Sequence, residues 1–422
     1  MFQTLKNAWK VEDIRKKLLF TVFMLVIFRL GCYIPTPGVD PTYIAKQVES
    51  YSILGFLNLM NGGALGNFTI FAMGIQPYIT AEIIMNLLTV AIPSLERMSK
   101  EPDGRDKIEN ITRILGVSLG GVMAIGLILT MGSSAIVASE TIPSWLIYIT
   151  VALVATAGAA MCIWIGDRIT EKGIGNGISL LIFIGIASRV FPVIFSYFSL
   201  VFAGATTFWL VPVVIALVFL VVLALTLVEL GERRVPVQYA KRVVGRKMYG
   251  GNSTNIPIRV NQNGVMPLIF AVTIIQFPGM IAQFWPNSGF YTWYQTWLGS
   301  GTVLYMVVYA LLIVAFAYFY TTISFNPIEI SKNMQQNGGF TPGIRPGRPT
   351  SDYLHRISYR LTMFSAIFLA LIAAVPTVFS GLMGGMSAFG ATSLMILVSV
   401  ALEVSKTIEA EMTMRNYKGF LK

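Results

Sequence analysis

Charge is what this sequence has least of. Only 12% of its 422 residues are Asp, Glu, Lys or Arg, and 55% are hydrophobic, whereas soluble domains carry roughly a quarter charged residues. That excludes a water-exposed globular surface over most of the molecule. It also excludes disorder, which needs low hydrophobicity. The two cysteines, Cys32 and Cys162, both sit inside apolar runs, so neither a disulfide framework nor a thiolate metal site is available. The single histidine, His355, has no partner at metal-ligand spacing. With a mean hydropathy of +0.68, the chain reads as a polytopic membrane protein.

What is present in quantity is long apolar stretches. Crossing about 30 Å of hydrocarbon takes about 20 residues as helix, and ten runs approach or exceed that. They are Leu18–Ile34, Phe68–Ile92, Ile114–Met131, Trp145–Ile165, Ile178–Phe198, Phe208–Leu230, Val265–Trp285, Val303–Phe325, Leu361–Phe379 and Thr392–Ile408. Backbone in lipid must satisfy its own hydrogen bonds, so these runs are expected as helices. The first follows a basic arm and resembles a signal peptide, but Arg29 interrupts it and no small-residue cleavage site follows. It is expected to be a retained helix.

The basic residues divide unevenly. With ten spans, 28 of the 31 Lys and Arg fall on the side shared by both termini, Lys46 and Arg189 fall opposite, and Arg29 lies within the first span. The positive-inside rule makes the shared side cytoplasmic. Two loops there are too long to be connectors. Glu232–Gly264 alternates apolar and polar residues at Val235/Val237/Tyr239 and Ile256/Ile258/Val260 around Gly250-Gly251, which predicts a β-hairpin. Lys241, Arg242, Arg246 and Lys247 lie near its tip, and Asn326–Tyr359 carries Arg345 and Arg348 in GIRPGRP. Such basic projections suit an anionic partner: lipid headgroups, an acidic protein or RNA.

Two segments break the pattern. Ile53–Phe68 is apolar but too short to span, and Gly55, Gly62, Gly63 and Gly66 interrupt it. It either lies on the outer surface or folds back into an interior cavity, because irregular backbone at membrane depth must be buried in protein or face water. In the second span, positions 75, 79, 82 and 86 share a helical face that reads Ile, Ile, Glu, Asn. Glu82 is costly in lipid, so this helix either borders an aqueous funnel or buries a carboxyl in a helix contact.

Literal motif matches to enzymes fail on context. Gly116-Val-Ser118-Leu-Gly120 fits a hydrolase elbow but lies inside the third span with no strand before it. Gly173, Gly175 and Gly177 lack a Walker lysine and a preceding strand, and are expected to break the chain tightly before the fifth span. No catalytic set, metal site, nucleotide site or cofactor is indicated.

In order and spacing, several stretches resemble the SecY family of protein-conducting channels nearly end to end. They are FRLGCYIPTPGVD (Phe28–Asp40), GGAL (Gly62–Leu65), FAMGIQPYIT (Phe71–Thr80), GDRITEKGIGNGIS (Gly166–Ser179), QYAKR (Gln238–Arg242), NGVMPLIFA (Asn263–Ala271), FNP (Phe325–Pro327), GFTPGIRPG (Gly339–Gly347) and TSLMIL (Thr392–Leu397). The resemblance implies an all-α polytopic fold of ten transmembrane helices in two inverted five-helix halves, 18–198 and 208–408, around a hinge at 199–207. An N-terminal arm (1–17) and a tail (409–422) would flank them, and no internal repeat is visible in the sequence itself. The segment about 53–68 would be a re-entrant plug, including Leu57, Asn58, Met60, Gly62, Gly63 and Leu65. Residue by residue, a pore ring would comprise Ile75, Ile79, Ile178, Ile182, Ile269 and Ile396. Isoleucine is stiff at χ1 and dewets a narrow constriction.

A lateral gate would lie between spans two and three on one side and seven and eight on the other. Gln76, Thr80, Glu82 and Asn86 would line the gate or funnel, although Glu82 departs from the small polar residue expected there. The implied partners are SecE and SecG, the ATPase SecA, the ribosome, secretory and membrane-protein polypeptides, and the lipid bilayer. Arg345 would couple the motor, while Lys241, Arg242, Arg246 and Lys247 would contact ribosome and motor. The implied location is the bacterial plasma membrane, multi-pass, with both termini cytoplasmic. The alternatives are a secondary transporter with inverted repeats, which would need paired intramembrane charges, and an intramembrane enzyme.

Overall fold

The computed structural model describes residues 9–50, 52–101, 103–131, 143–202, 210–239, 242–244, 247–249, 253–282, 285, 288–299, 302–383 and 391–419. By spatial contact the chain forms two compact units. One comprises Met1–Val211, Gln276–Thr302 and Leu382–Lys422, the other Pro212–Ile275 and Val303–Gly381. Among the described residues, four helices are long and apolar enough to cross a membrane: Gly104–Ile128, Trp145–Lys172, Val303–Gln336 and Arg348–Ala374. A fifth follows if Gln76–Ala91 and Pro93–Lys100, bent by 101° at their junction, count as one span.

The first unit begins with α1 (Glu12–Gly31), α2 (Pro41–Ser50), α3 (Ser52–Met60), α4 (Gln76–Ala91), α5 (Pro93–Lys100), α6 (Gly104–Met131), α7 (Ser144–Lys172) and α8 (Gly177–Phe202). Local chemistry sets several boundaries. Acidic Glu12 and Asp13 open α1 and basic Arg29 closes it, as the helix dipole favours. Asp40 accepts hydrogen bonds from the Thr42 hydroxyl (2.7 Å) and N–H (2.9 Å), turning the chain into α2. Those bonds hold the Asp40 carboxyl below the usual carboxylate range. The expected tight break before the fifth span is present. Gly175 takes φ +78°, and the Asn176 side chain accepts from the N–H groups of Ile178 and Ser179 to open α8.

One boundary differs from the sequence expectation. Phe68–Ile92 was expected as one helix, but 68–75 is a series of turns and α4 starts at Gln76. Phe68 has φ +41° and Gly74 φ +55°, both outside helical space, and Thr69 pairs with Pro35 in an isolated bridge. Pro77 in the first turn of α4 suits a position whose N–H has no helical partner.

The second unit contains most of α9 (Leu210–Leu230), then β1 (Glu232–Tyr239), β2 (Arg242–Val244), β3 (Lys247–Tyr249) and β4 (Ser253–Arg259). After them in the chain come α10 (Met266–Ala282), whose start belongs to the second unit, then α12 (Val303–Ser324), α13 (Pro327–Gln336), β5 (Gly339–Phe340) and most of α14 (Arg348–Met383), while α11 (Gly289–Leu298) and α15 (Ala391–Gly419) belong to the first. The expected hairpin forms: β1 and β4 run antiparallel from Glu232↔Arg259 to Gln238↔Ser253. Its alternation is structural, since Val235 and Val237 are buried and their neighbours exposed. Val235 and Ile258 pack on Leu354 of α14. A third strand that the sequence did not suggest, β5, pairs with the other side of β1 through Gln238↔Phe340 and Tyr239↔Gly339. The long loop Asn326–Tyr359 is largely ordered into α13, β5 and the first turns of α14.

Candidate functional site

Buried backbone that is not helix or sheet is the main anomaly of the first unit. From Met60 to Thr80 every residue is buried except Asn67 and Ile70, yet 61–75 has no regular structure beyond one bridge pair. Orphaned polar backbone would be expensive there, and the residues present satisfy much of it. The Asn58 side chain accepts from Gly66 N–H (2.7 Å), and its carbonyl accepts from Gly63 N–H (2.7 Å). Asn61 Nδ2 donates to the Ala72 carbonyl (2.9 Å), and Thr69 N–H to the Ala64 carbonyl (3.0 Å). Gly62 and Gly63 supply φ +64° and +92° at the turn out of α3, which side-chain-bearing residues rarely adopt.

The described residues of the short apolar segment are largely buried against the rest of the first unit. Leu57 (6% exposed), Met60 (4%) and Leu65 (2%) are buried, and Leu57 and Leu65 join a core cluster with Ala124, Val151, Ala155 and Ala159 of α6 and α7. Helix α3 packs against α8. The approach is so close that a Cβ at Gly185 would overlap the Met60 carbonyl.

Two arginines meet this segment at adjacent residues, Gly62 and Gly63. Arg29 Nη1 donates to the Gly62 carbonyl (3.2 Å), while its guanidinium lies over the Tyr33 ring at 5.4 Å. The Arg189 guanidinium lies where a Cβ on Gly63 would be, and its Nε is buried without a hydrogen-bond partner among the described residues. The sequence had marked both residues as rare charges near or inside spans. It did not connect them to this segment, because a main-chain carbonyl carries no sequence signature.

The six isoleucines divide between the units. Ile75 is the N-cap residue of α4 and Ile79 lies one turn on, at 5% and 3% exposure. Ile182 (3%) is buried on α8, where Ile178 is half-buried, and Ile396 (1%) is buried on α15. Helices α8 and α15 pack together, so the last three sit on neighbouring elements. Ile269 (5%) lies on the part of α10 that belongs to the second unit. Along α4, Gln76 and Thr80 are buried while Glu82 and Asn86 are half-buried. The Thr80 hydroxyl donates to the Gln76 carbonyl (3.1 Å), and the Gln76 side-chain oxygen has no partner among the described residues.

Among the basic residues singled out, Lys241 and Arg246 lie outside the described residues, and Arg242 and Lys247 begin β2 and β3. Arg345 is exposed on a turn whose form is pinned. Its carbonyl accepts from Thr350 Oγ1 (2.8 Å), and Ser331 Oγ donates to the Gly347 carbonyl (2.7 Å). Ser118 of the hydrolase-like match lies in mid-helix and donates to the Ile114 carbonyl (2.9 Å). The described residues hold no group of three or more His, Cys, Asp or Glu placed to bind a metal.

Comparison with known proteins bears on the whole chain. The profile of the SecY family matches residues 69–405. A protein translocase subunit SecY from Streptomyces galbus is 44% identical over 442 residues, covering 100% of both chains. Among solved structures, one described as a protein-conducting channel superposes with a TM-score of 0.71 at 19% identity, covering 95% of this chain and 93% of that one. Sec61 in a canine ribosome–channel complex from the endoplasmic reticulum gives 0.65 at 18% identity, with the same coverage.

Proposed function

This chain belongs to the SecY family, and on that premise we propose that it is the protein-conducting channel of a translocase. It passes unfolded secretory polypeptides across the bacterial plasma membrane and releases transmembrane segments sideways into lipid. The observation that carries this reading is the buried, non-helical stretch 61–75 leading into the ring positions Ile75 and Ile79. A seal needs an apolar waist without hydrogen-bonding groups for a passing backbone, and six isoleucines supply it: Ile75, Ile79, Ile178, Ile182, Ile269 and Ile396. The plug, with Leu57, Asn58, Met60, Gly62, Gly63 and Leu65, closes that waist at rest.

Sideways release follows from partitioning. Each Leu or Ile favours lipid by a few tenths of a kcal/mol, while one central charge costs about 2.5–3.5 kcal/mol. A segment given access to both phases sorts itself on that balance. Gln76, Thr80, Glu82 and Asn86 line the route on the cytoplasmic side. The finer architecture is ten spans in two inverted halves about a hinge at 199–207, with both termini cytoplasmic. The chain performs no catalysis of its own, so SecA or a translating ribosome supplies the drive, docking on Lys241, Arg242, Arg246, Lys247 and Arg345. SecE and SecG complete the assembly. The proteins compared above are translocase and channel components, which gives the secondary-transporter alternative no support.

The test is a stalled export intermediate carrying a photocrosslinker. Adducts at Ile75, Ile182 and Ile269 are expected, and a stalled chain that never reaches any of them would overturn the reading.

A further inference from the structure

A groove of about 460 Å³ opens on the second unit between α12 and α14, walled by Tyr318, His355, Arg356, Tyr359 and Arg360, with Asp352 at one end. Tyr359 is its centre: its ring lies 4.8 Å from Tyr318 and 4.8 Å from His355, centroid to centroid. Arg356 and Arg360 are exposed, one helical turn apart on the same face. Neither has an ion-pair or hydrogen-bond partner among the described residues, and Asp352 is more than 4.0 Å from both as an ion pair. Two unpaired cations on aromatic walls form a site for a doubly hydrogen-bonded anion such as a phosphate.

The same helix face then changes character abruptly. Beyond Arg360 it reads Met363 (55% exposed), Phe364 (57%), Ile367 (45%) and Leu371 (64%). Leu371 lies about 16 Å along the axis from Arg360, near half the depth of the hydrocarbon core. The helix itself is long and apolar enough to span. Aromatic rings with basic side chains mark headgroup depth on membrane helices, so the groove and the apolar stripe below it match the two parts of one amphiphile.

We propose that this groove binds the phosphate of an anionic phospholipid between Arg356 and Arg360, with the acyl chains lying along Met363, Phe364, Ile367 and Leu371. An acidic protein or a free phosphate would use the arginines but not the stripe. His355 closes the outer wall against Tyr359 and offers a further ring nitrogen to the headgroup.

The test reconstitutes the full chain in phosphatidylcholine vesicles carrying a trace of phosphatidylglycerol or phosphatidylcholine with a photoactivatable acyl chain. Adducts are then mapped by peptide mass spectrometry. The phosphatidylglycerol probe should label the peptide containing Met363–Leu371 more heavily than the phosphatidylcholine probe, by about fivefold for each arginine engaged. R356Q/R360Q should abolish that preference, while labelling at the exposed Ile114 and Val122 of α6 stays equal for both probes. Equal labelling of the stripe by the two lipids in the unsubstituted protein, or no labelling there, would overturn the proposal. So would a phosphatidylglycerol preference that persists in R356Q/R360Q, which would assign it to something other than the two arginines.

Discussion

Segments 61–75 and 260–264 are both non-helical backbone, and they are held in different ways. Segment 61–75 closes largely on itself and on the end of α3, through Asn58 to Gly63 and Gly66, Asn61 to Ala72, and Thr69 to Ala64. It packs into the core of its unit through Leu65, Phe68, Ala72 and Met73, but its hydrogen bonds to other elements are few: Arg29 to Gly62, Cys32 Sγ to the Asn61 carbonyl (3.9 Å), Thr36 N–H to the Phe68 carbonyl (3.0 Å), and Ile70 N–H to the Ile34 carbonyl (3.0 Å). Segment 260–264 closes outward instead. Asn261 Nδ2 donates to Glu229 of α9 (2.8 Å), and Gln262 Oε1 accepts from Ser358 of α14 (3.1 Å). Asn263 Nδ2 donates to the Ala317 carbonyl (2.9 Å) and Thr321 Oγ1 (2.8 Å) of α12. Internal bonds travel with a segment, whereas outward bonds must break before it moves. On the proposed function the plug would carry those internal bonds with it, whereas 260–264 ties α9, α12 and α14 together.

The largest expected effect comes from forcing the first stretch out. G185L places side-chain atoms where the Met60 carbonyl sits, and overpacking against backbone costs about 1–3 kcal/mol. Resting ion conductance in planar bilayers should therefore rise on the order of tenfold. An unchanged conductance would mean the segment is not the seal. Next in size is N263A, which removes two donated bonds and the acceptor of Ser324 Oγ (3.0 Å). Ala317 and Thr321 are buried but keep their mutual bond (2.8 Å), so the lost bonds should lower the stability of the purified protein by about 1 kcal/mol, read as a drop in melting temperature, with conductance unaltered. A leaking but fully stable N263A would erase the distinction between the two stretches.

Much of this architecture could be read from residues alone, and the failures have physical causes. The hairpin was legible because Val235, Val237, Ile256 and Ile258 alternate with polar neighbours, and period two has one common meaning. Gly173, Gly175 and Gly177 announced a tight break by their chemistry, whereas the capping role of Asn176 was not read from the sequence. The run 53–68 was legible as non-spanning, but apolarity suits a surface segment and a buried one equally, so burial had to decide. The start of α4 was misplaced because 68–75 is as apolar as a helix would be. Its turns follow from the Pro35–Thr69 bridge and the positive φ of Phe68 and Gly74, which are tertiary facts. Strand β5 has two residues, too short for any periodicity. Arg29 stood out as a charge in a span, yet its partner, the Gly62 carbonyl, is visible only once the chain has folded back.

R29Q sharpens the comparison with a smaller effect. It removes one tie between 61–75 and α1, a 3.2 Å bond at a partly buried site, worth about 1 kcal/mol. Conductance should rise about fivefold, and melting should hardly change. If R29Q instead behaved like N263A, with lost stability and no leak, Arg29 would be a structural fastener and the first stretch would owe its place to packing.

The smallest effect separates the segment from the unit that contains it. Lys17 Nζ pairs with Glu411 Oε1 at 2.7 Å, joining α1 to α15, and the two side chains are 41% and 21% exposed. The pair sits near a small apolar cluster of Ile14, Ile174 and Ile408, well apart in sequence from 61–75. Ion pairs this open to solvent contribute below about 1 kcal/mol, and salt screens them over a Debye length of about 10 Å at 0.1 M. K17A should therefore lower the melting temperature slightly at low ionic strength and by nothing measurable at high, with no change in resting conductance at either. A leak that appears at low salt would mean that the seal depends on how tightly the whole first unit is held. The few ties of 61–75 would then not be the controlling ones, and the contrast with 260–264 would lose its mechanistic content.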